Sequence, residues 1–283
     1  MSDLSPDLSL RLAAAVDSMP AFPKSVQRIL TLTRDVACAP RDLVQVIDKD
    51  PVVTVKVLRV VNSAYYGLAK HITSIDHAVV FLGFNTIKNL ALSIAAIGML
   101  PGDPLAGFDG QRYLLHSLTS ASIARQLAHR MPGADPHDCF IAGLLHDFGK
   151  VVVAQFMPIE FRKSLEMSLW KEVALHEALR EVIGVDHATI GAMLAEKWRF
   201  AQDLVETIHY QHEPQACDTE MMACVFAANQ ISKRLGFDYG GSLVVEELAP
   251  TLAMRLGGKL DDVMVSLGDL TGLVEEAKLF SKM

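Results

Sequence analysis

Apolar residues recur at helical spacing in one segment after another of this 283-residue chain, and glycine or proline punctuates nearly every interval between them. No other feature restricts the fold class as much. In Asp42-Leu43-Val44-Gln45-Val46-Ile47-Asp48-Lys49-Asp50 the apolar positions share a helical face, and Asp50-Pro51 then reads as an N-cap followed by proline at the first helical position. The helix that starts there runs through Val52, Val55, Leu58 and Val61 to Asn62-Ser63, and Tyr65-Tyr66-Gly67 closes it in a turn. Ile75 to Leu82 reads as a short helix ending at Gly83, with Asn85 capping a longer one over Ile87 to Leu100.

Pro101-Gly102-Asp103-Pro104-Leu105-Ala106-Gly107-Phe108-Asp109-Gly110 concentrates turn formers and reads as a linker. Beyond it the periodicity predicts helices at 112–130, 136–148, 159–168, 171–183, 187–198, 201–212 and 218–235, with Gly149 as a helix stop. Further short helices are expected over Val244–Arg255, Leu260–Leu267 and Leu270–Ser281, after Gly240-Gly241. Val151-Val152-Val153 is β-branched but has no partner strand of comparable quality, so it reads as helical or extended core. The expected class is all-α with two helical subdomains: residues 1–104, residues 105–240, and a C-terminal helical extension over 241–283.

Composition narrows the function. Hydrophobic residues make up 51% and charged residues 21%, which fits a packed globular chain and excludes a mainly disordered one. A net charge of −7 without a long block of Lys or Arg lacks the footprint of a nucleic-acid binder, so no nucleic-acid partner is expected. The apolar stretch Leu90 to Leu100 is too short to cross a bilayer. The beginning, MSDLSPDLSLRLAAAVDSMP, has no basic segment followed by an apolar core. No membrane partner and a cytoplasmic location are the resulting expectations. Cys38, Cys139, Cys217 and Cys224 are scattered without a CxxC pair, which suggests a reducing compartment and thiols used as core filler.

The chemistry gathers around Leu144-Leu145-His146-Asp147-Phe148-Gly149-Lys150, which places an imidazole and a carboxylate side by side at the end of an apolar run. Adjacent residues diverge by about 100° around a helix, so both can ligate only a metal at its edge. His116 shares a helix side with Ser120, Ile123 and Leu127 and is expected to point partly inward. Asp186-His187 opens one later helix, and His209, His212 and Glu213 close another. Imidazole and carboxylate suit divalent transition metals, and this inventory is enough for one site or for two. Lys150, after the Gly149 stop, could satisfy terminal carbonyls or meet a phosphate.

His116 followed by His146-Asp147 resembles the HD superfamily of metal-dependent phosphohydrolases, in which a final aspartate completes the metal set. The resemblance puts that fourth position within Cys224–Ile231, where this chain has Asn229, a neutral amide. The weaker charge implies weaker metal binding and a less acidic bound water. The HD-GYP branch resembles the chain further at His187 and at Gln211-His212-Glu213, but carries His-His-Glu where Gln211 stands and a Gly-Tyr-Pro segment where Pro214-Gln215-Ala216-Cys217 stands. Cyclic di-GMP hydrolysis is therefore not expected.

Met19-Pro20-Ala21-Phe22-Pro23, Asp50-Pro51, Leu58-Arg59-Val60-Val61-Asn62-Ser63-Ala64-Tyr65-Tyr66, Ile72-Thr73-Ser74-Ile75-Asp76-His77-Ala78-Val79, Leu82-Gly83, Leu115-His116-Ser117 and Gly143–Lys150 occur in an order similar to that of the HDOD family, over residues 19 to 235. That resemblance implies an all-helical regulatory module of bacterial signalling whose second subdomain is an HD-like bundle with a degenerate metal site. It would bind a signalling protein or a small ligand such as a nucleotide, with no cofactor beyond one divalent metal ion. The alternative is a metal-dependent phosphohydrolase acting on a phosphomonoester or phosphodiester. His116, His146 and Asp147 would then hold the metal with His187 or His212, Asp147 and Lys150 being the catalytic candidates. For His116, His146 and Asp147 three readings stay open: a remnant hydrogen-bonded cluster, one bound metal, and active hydrolysis. Asp50-Pro51 and Asn62-Ser63 read most simply as helix-start and helix-stop chemistry.

Overall fold

Side-chain caps start seven of the helices. Ser5, Asp50, Ser74, Asp109, Asp135, Asp186 and Thr219 each accept a hydrogen bond from a backbone N–H two or three residues on, satisfying donors that a helix N-terminus leaves free. The computed structural model describes residues 5–20, 24–32, 39–63, 66, 68, 70–100, 107–237 and 244–281, and among these all regular structure is helical. Tyr65, Gly67, residues 101–106 of the expected linker, and Gly240-Gly241 lie outside the described residues.

Two compact units emerge, and helix α1 (Pro6–Ser18) groups with residues 101–274 rather than with the helices that follow it. The smaller unit comprises residues 21–100 and 275–283. It contains α2 (Lys24–Leu32), α3 (Pro40–Asp48), α4 (Pro51–Val61), α5 (Ile75–Leu82) and α6 (Phe84–Ile97). Asn62 follows α4 and ties the next loop back: its Nδ2 donates to the carbonyls of Leu58 and Ile72 at 2.8 and 2.7 Å, while its Oδ1 accepts from the Ile72 N–H at 2.7 Å. Asp50 caps α4 and also accepts from the Ser25 hydroxyl at 2.7 Å. Both residues thus have structural work to do. Gly83, at φ 85°, precedes α6, so the helix begins at Phe84 rather than after Asn85.

The larger unit continues with α7 (Gly110–Ala128), α8 (Pro136–Leu145), α9 (Phe148–Phe156), α10 (Pro158–Lys171), α11 (Leu175–Ile183), α12 (His187–Lys197), α13 (Gln202–His209), α14 (Glu220–Arg234), α15 (Pro250–Leu256) and α16 (Leu260–Leu267), and the division between units falls within α17 (Thr271–Ser281). Residues 244–249 are not helical, so the helix expected from Val244 starts only at Pro250, and Lys171 ends α10 instead of opening α11. Val151-Val152-Val153 is buried helix. Pro136–Phe156 is apolar and long enough to cross a membrane, but a turn at His146-Asp147 interrupts it and it is mostly buried.

Two close helix crossings organise this unit. A Cβ on Gly143 of α8 would come within 2.8 Å of the Ala121 Cα on α7, and a Cβ on Gly149 of α9 would overlap the His187 carbonyl oxygen on α12. Gly149 is therefore no helix stop. The break comes earlier, where Asp147 leaves helical geometry at φ −98°, ψ 7°, and Gly149 lies in the first turn of α9 because backbone there touches backbone.

Candidate functional site

The two crossings bring three helix ends and a helix face to one point. Gly143 lets α8 approach α7, so His146, one turn after Gly143, meets His116 with their Nε2 atoms 3.3 Å apart. The turn between α8 and α9 aims Asp147 at the same place, its Oδ2 lying 3.4 Å from each of those nitrogens. The close approach of α9 to α12 sets His187 Nε2 3.0 Å from Asp147 Oδ1, and His212 Nε2 follows at 3.1 Å from His187. His116, His146, Asp147 and His187 are all buried. The ligand atoms of the first three lie within 4.8 Å of one another.

Further contacts fix the rings. His146 Nδ1 donates to the Gly143 carbonyl at 2.7 Å, which leaves its Nε2 lone pair facing the cluster. His116 Nδ1 lies 3.0 Å from the Ser232 hydroxyl of α14, which also reaches the His116 carbonyl at 3.5 Å. Two proton arrangements satisfy this contact. With Nδ1–H donating to Ser232, His116 Nε2 is a bare donor atom; with Ser232 donating to Nδ1, Nε2–H faces His146 and Asp147. Gln211 Nε2 donates to the His146 carbonyl at 2.6 Å and props the turn between α8 and α9. Asn229 is buried three residues before Ser232 on α14, and its Oδ1 has no hydrogen-bond partner.

Lys150 is the main departure from expectation. Its Nζ lies 2.7 Å from Asp147 Oδ2, one turn along α9, and the side chain is buried. It is buried against Asp147 rather than held at a surface for phosphate. Burial alone would raise the Asp147 carboxyl, but His146, Lys150 and hydrogen bonds from His116 and His187 hold it well below the usual carboxylate range. Burial pushes His146 down to about 4, against the attraction of Asp147 and with His116 and Lys150 adding to the effect. Burial likewise lowers His187 and His212, and takes His176, stacked on His212 at 3.8 Å between ring centroids, down to about 3. At neutral pH His146, His176, His187 and His212 are therefore uncharged, and the Lys150 side chain pairs with Asp147.

These shifts have a definite sign. An imidazole kept neutral below its ordinary value binds fewer protons than the unfolded chain between about pH 6.5 and pH 4, so stability falls as pH drops through that window. Asp147 adds a loss below about pH 4, as pH falls toward its depressed value. Urea midpoints measured in a pH series are expected to decline steeply from about pH 6.5 downward. A midpoint that stays level to pH 5 contradicts the burial of these rings.

The donor set passes a geometric test for a cation. A four-coordinate ion with bonds of 2.0–2.1 Å spaces its donors about 3.3 Å apart, and His116, His146 and Asp147 present donors at 3.3, 3.4 and 3.4 Å. Those three residues would hold one divalent ion, which when bound supplies a Lewis acid and a more acidic water. Lys150 already engages the same carboxylate oxygen, Oδ2. His187 meets the other oxygen and His212 stands behind it, whereas His209 makes a ring contact with Tyr210 instead.

This all-helical chain carries its His-His-Asp cluster within a match to the HDOD domain, which covers residues 19–214. The chain belongs to the HDOD family. An HDOD domain protein of unknown function from Geobacter sulfurreducens has the same fold, with a TM-score of 0.81 and 24% identity over 98% of this chain and 96% of that one. A candidate phosphohydrolase of Shewanella amazonensis SB2B gives 0.74 at 24% identity, covering 95% and 97%. Among curated relatives, an uncharacterised protein of Treponema pallidum is 27% identical over 208 residues, 72% of this chain and 40% of that protein. Ribonuclease Y of Mycoplasma mycoides is 26% identical over 168 residues, 58% of this chain and 33% of that enzyme. The chain thus matches less than half the length of either.

Ser232 and His176 were not legible as site residues, since each joins through tertiary packing alone. Lys150 was singled out in the sequence, but its pairing with Asp147 was not, because Gly149 read as a helix stop between them.

Proposed function

We propose that the chain is a cytoplasmic bacterial signalling module that works by binding a partner protein or a small ligand, and that its Asp147 cluster is a degenerate metal site that does not catalyse hydrolysis. The observation that carries this reading is the buried Lys150–Asp147 pair at 2.7 Å. An ion at His116 and His146 needs the carboxylate oxygen that Lys150 already neutralises, and Asn229 adds no second acid. The carboxylate is already balanced without an ion, by the Lys150 ammonium, with imidazoles around the pair.

The test is metal content and turnover of the purified chain. Incubation with manganese or zinc followed by gel filtration and elemental analysis is expected to leave much less than one ion per chain, and bis-p-nitrophenyl phosphate should not be cleaved above background. Lys150→Met frees Oδ2, and metal affinity is expected to rise roughly tenfold or more. Asn229→Asp should act in the same direction. Stoichiometric metal in the unaltered chain, together with turnover that Asp147→Asn abolishes, overturns the reading.

The second reading, a metal-dependent phosphohydrolase, is favoured by the donor spacing of 3.3–3.4 Å. On it, His116, His146 and Asp147 hold the ion and Lys150 releases Asp147 to neutralise a phosphoryl oxygen. The name of the Ribonuclease Y relatives points to a phosphodiester as substrate in that case.

A further inference from the structure

The outer face of α10 in the larger unit is an unpartnered stripe with two-fold character. Phe161, Ser164 and Ser168 turn inward, while Ile159 and Trp170 are 80% and 81% exposed. At 100° per residue, Ile159, Lys163, Glu166 and Trp170 fall within about 60° of arc, so they form one narrow row rather than a scattered surface. Exposed Leu169 flanks the row beside Trp170. Single exposed apolar residues need no explanation, but an exposed tryptophan and isoleucine in register along one helix do.

The charged pair inside the row is left exposed by the other described residues. Neither Lys163 nor Glu166 forms an ion pair with any described residue. Their order, lysine before glutamate, is the poorer one for an intrahelical pair. The spacing has a symmetry of its own. Ile159 and Trp170 are equidistant from the midpoint between Ser164 and Leu165, and so are Lys163 and Glu166.

We infer that α10 is a self-association surface whose occupant is α10 of a second copy of this chain, packed antiparallel about a two-fold axis through that midpoint. In that arrangement residues equidistant from the axis face each other, as an isologous contact requires. Ile159 meets Trp170 of the second copy at both ends, and Lys163 meets Glu166 of the second copy twice in the middle. Every group in the row finds a complementary group, with apolar against apolar and cation against anion. An unrelated partner could match the row but gives no reason for its palindromic spacing. One helix pair of this length is a small interface, which sets the expectation of a dimer held at micromolar rather than nanomolar strength. The inference does not depend on whether the Asp147 cluster binds metal.

Sedimentation velocity on the full chain, from about 1 μM to about 500 μM, is expected to show a reversible monomer–dimer equilibrium. Trp170→Ala should weaken it roughly thirtyfold, since it removes an aromatic anchor from both halves. Lys163→Glu should weaken it roughly tenfold by setting glutamate against Glu166 of the second copy. The double change Lys163→Glu with Glu166→Lys restores opposite charges across the axis and should recover the original affinity. Because all three positions are exposed, the melting temperature of the monomer at low concentration should not move. A chain that stays monomeric throughout the range overturns the inference. So does a dimer indifferent to Trp170→Ala, or a double variant that remains as weak as the single.

Discussion

Replacing Asp147 by alanine is expected to destabilise the chain by about 3–5 kcal/mol, the cost of leaving a buried charge without its counter-ion. The Lys150 ammonium is 6% exposed and lies 2.7 Å from the carboxylate. With the carboxylate gone, the ammonium loses this ion pair, and the imidazoles that also shape Asp147 supply no negative charge to replace it. His187 would also lose its 3.0 Å partner. Urea denaturation at pH 7.5, followed by circular dichroism, reads the loss. A double-mutant cycle separates the stranded charge from the lost packing: adding Lys150→Met to Asp147→Ala removes the unpaired ammonium, so the double variant should be more stable than Asp147→Ala alone. If Asp147→Ala costs less than about 1 kcal/mol, within the range of an exposed pair, the buried ion pair is not what neutralises this core.

This pair also shows where sequence reasoning reached and where it stopped. Helix class and most helix positions follow from periodicity, because burying an apolar stripe is a local demand that each segment states for itself. His116, His146 and Asp147 were legible as a group through their order and residue types. Their geometry was not, because it depends on a break at Asp147 that lets consecutive residues aim at one point. The helical spacing of Asp147 and Lys150 appears only once Gly149 is placed inside α9. Glycine serves both as a helix terminator and as the residue that lets two backbones touch. The sequence around Gly149 allows either use, and only the presence of α12 decides. For the same reason Ser232, 116 residues beyond His116, carries no local mark of its contact with that ring.

The second large effect is expected at Gly149 itself. Gly149→Ala should lower stability by about 3 kcal/mol, at the upper end of what an overpacked site costs, because the added carbon has no flexible neighbour to displace. It would overlap the His187 carbonyl oxygen and lie 2.8 Å from the backbone nitrogen of Gly191, so α9 and α12 must separate as whole helices. Gly191→Ala on the opposite side of the crossing is the internal control. Its nearest obstacle is the Ile208 Cγ2 at 3.1 Å, a side-chain tip that can yield, so it should cost about 1 kcal/mol. Separation of the helices would also withdraw His187 from Asp147, which makes the defect visible at the site as well as in the melt. The downfield proton resonance of a hydrogen-bonded imidazole N–H offers that readout, and it should shift or vanish in Gly149→Ala while persisting in Gly191→Ala. Equal stability losses in the two variants, with an unchanged imidazole signal, would mean that the α9–α12 contact does not set the position of His187.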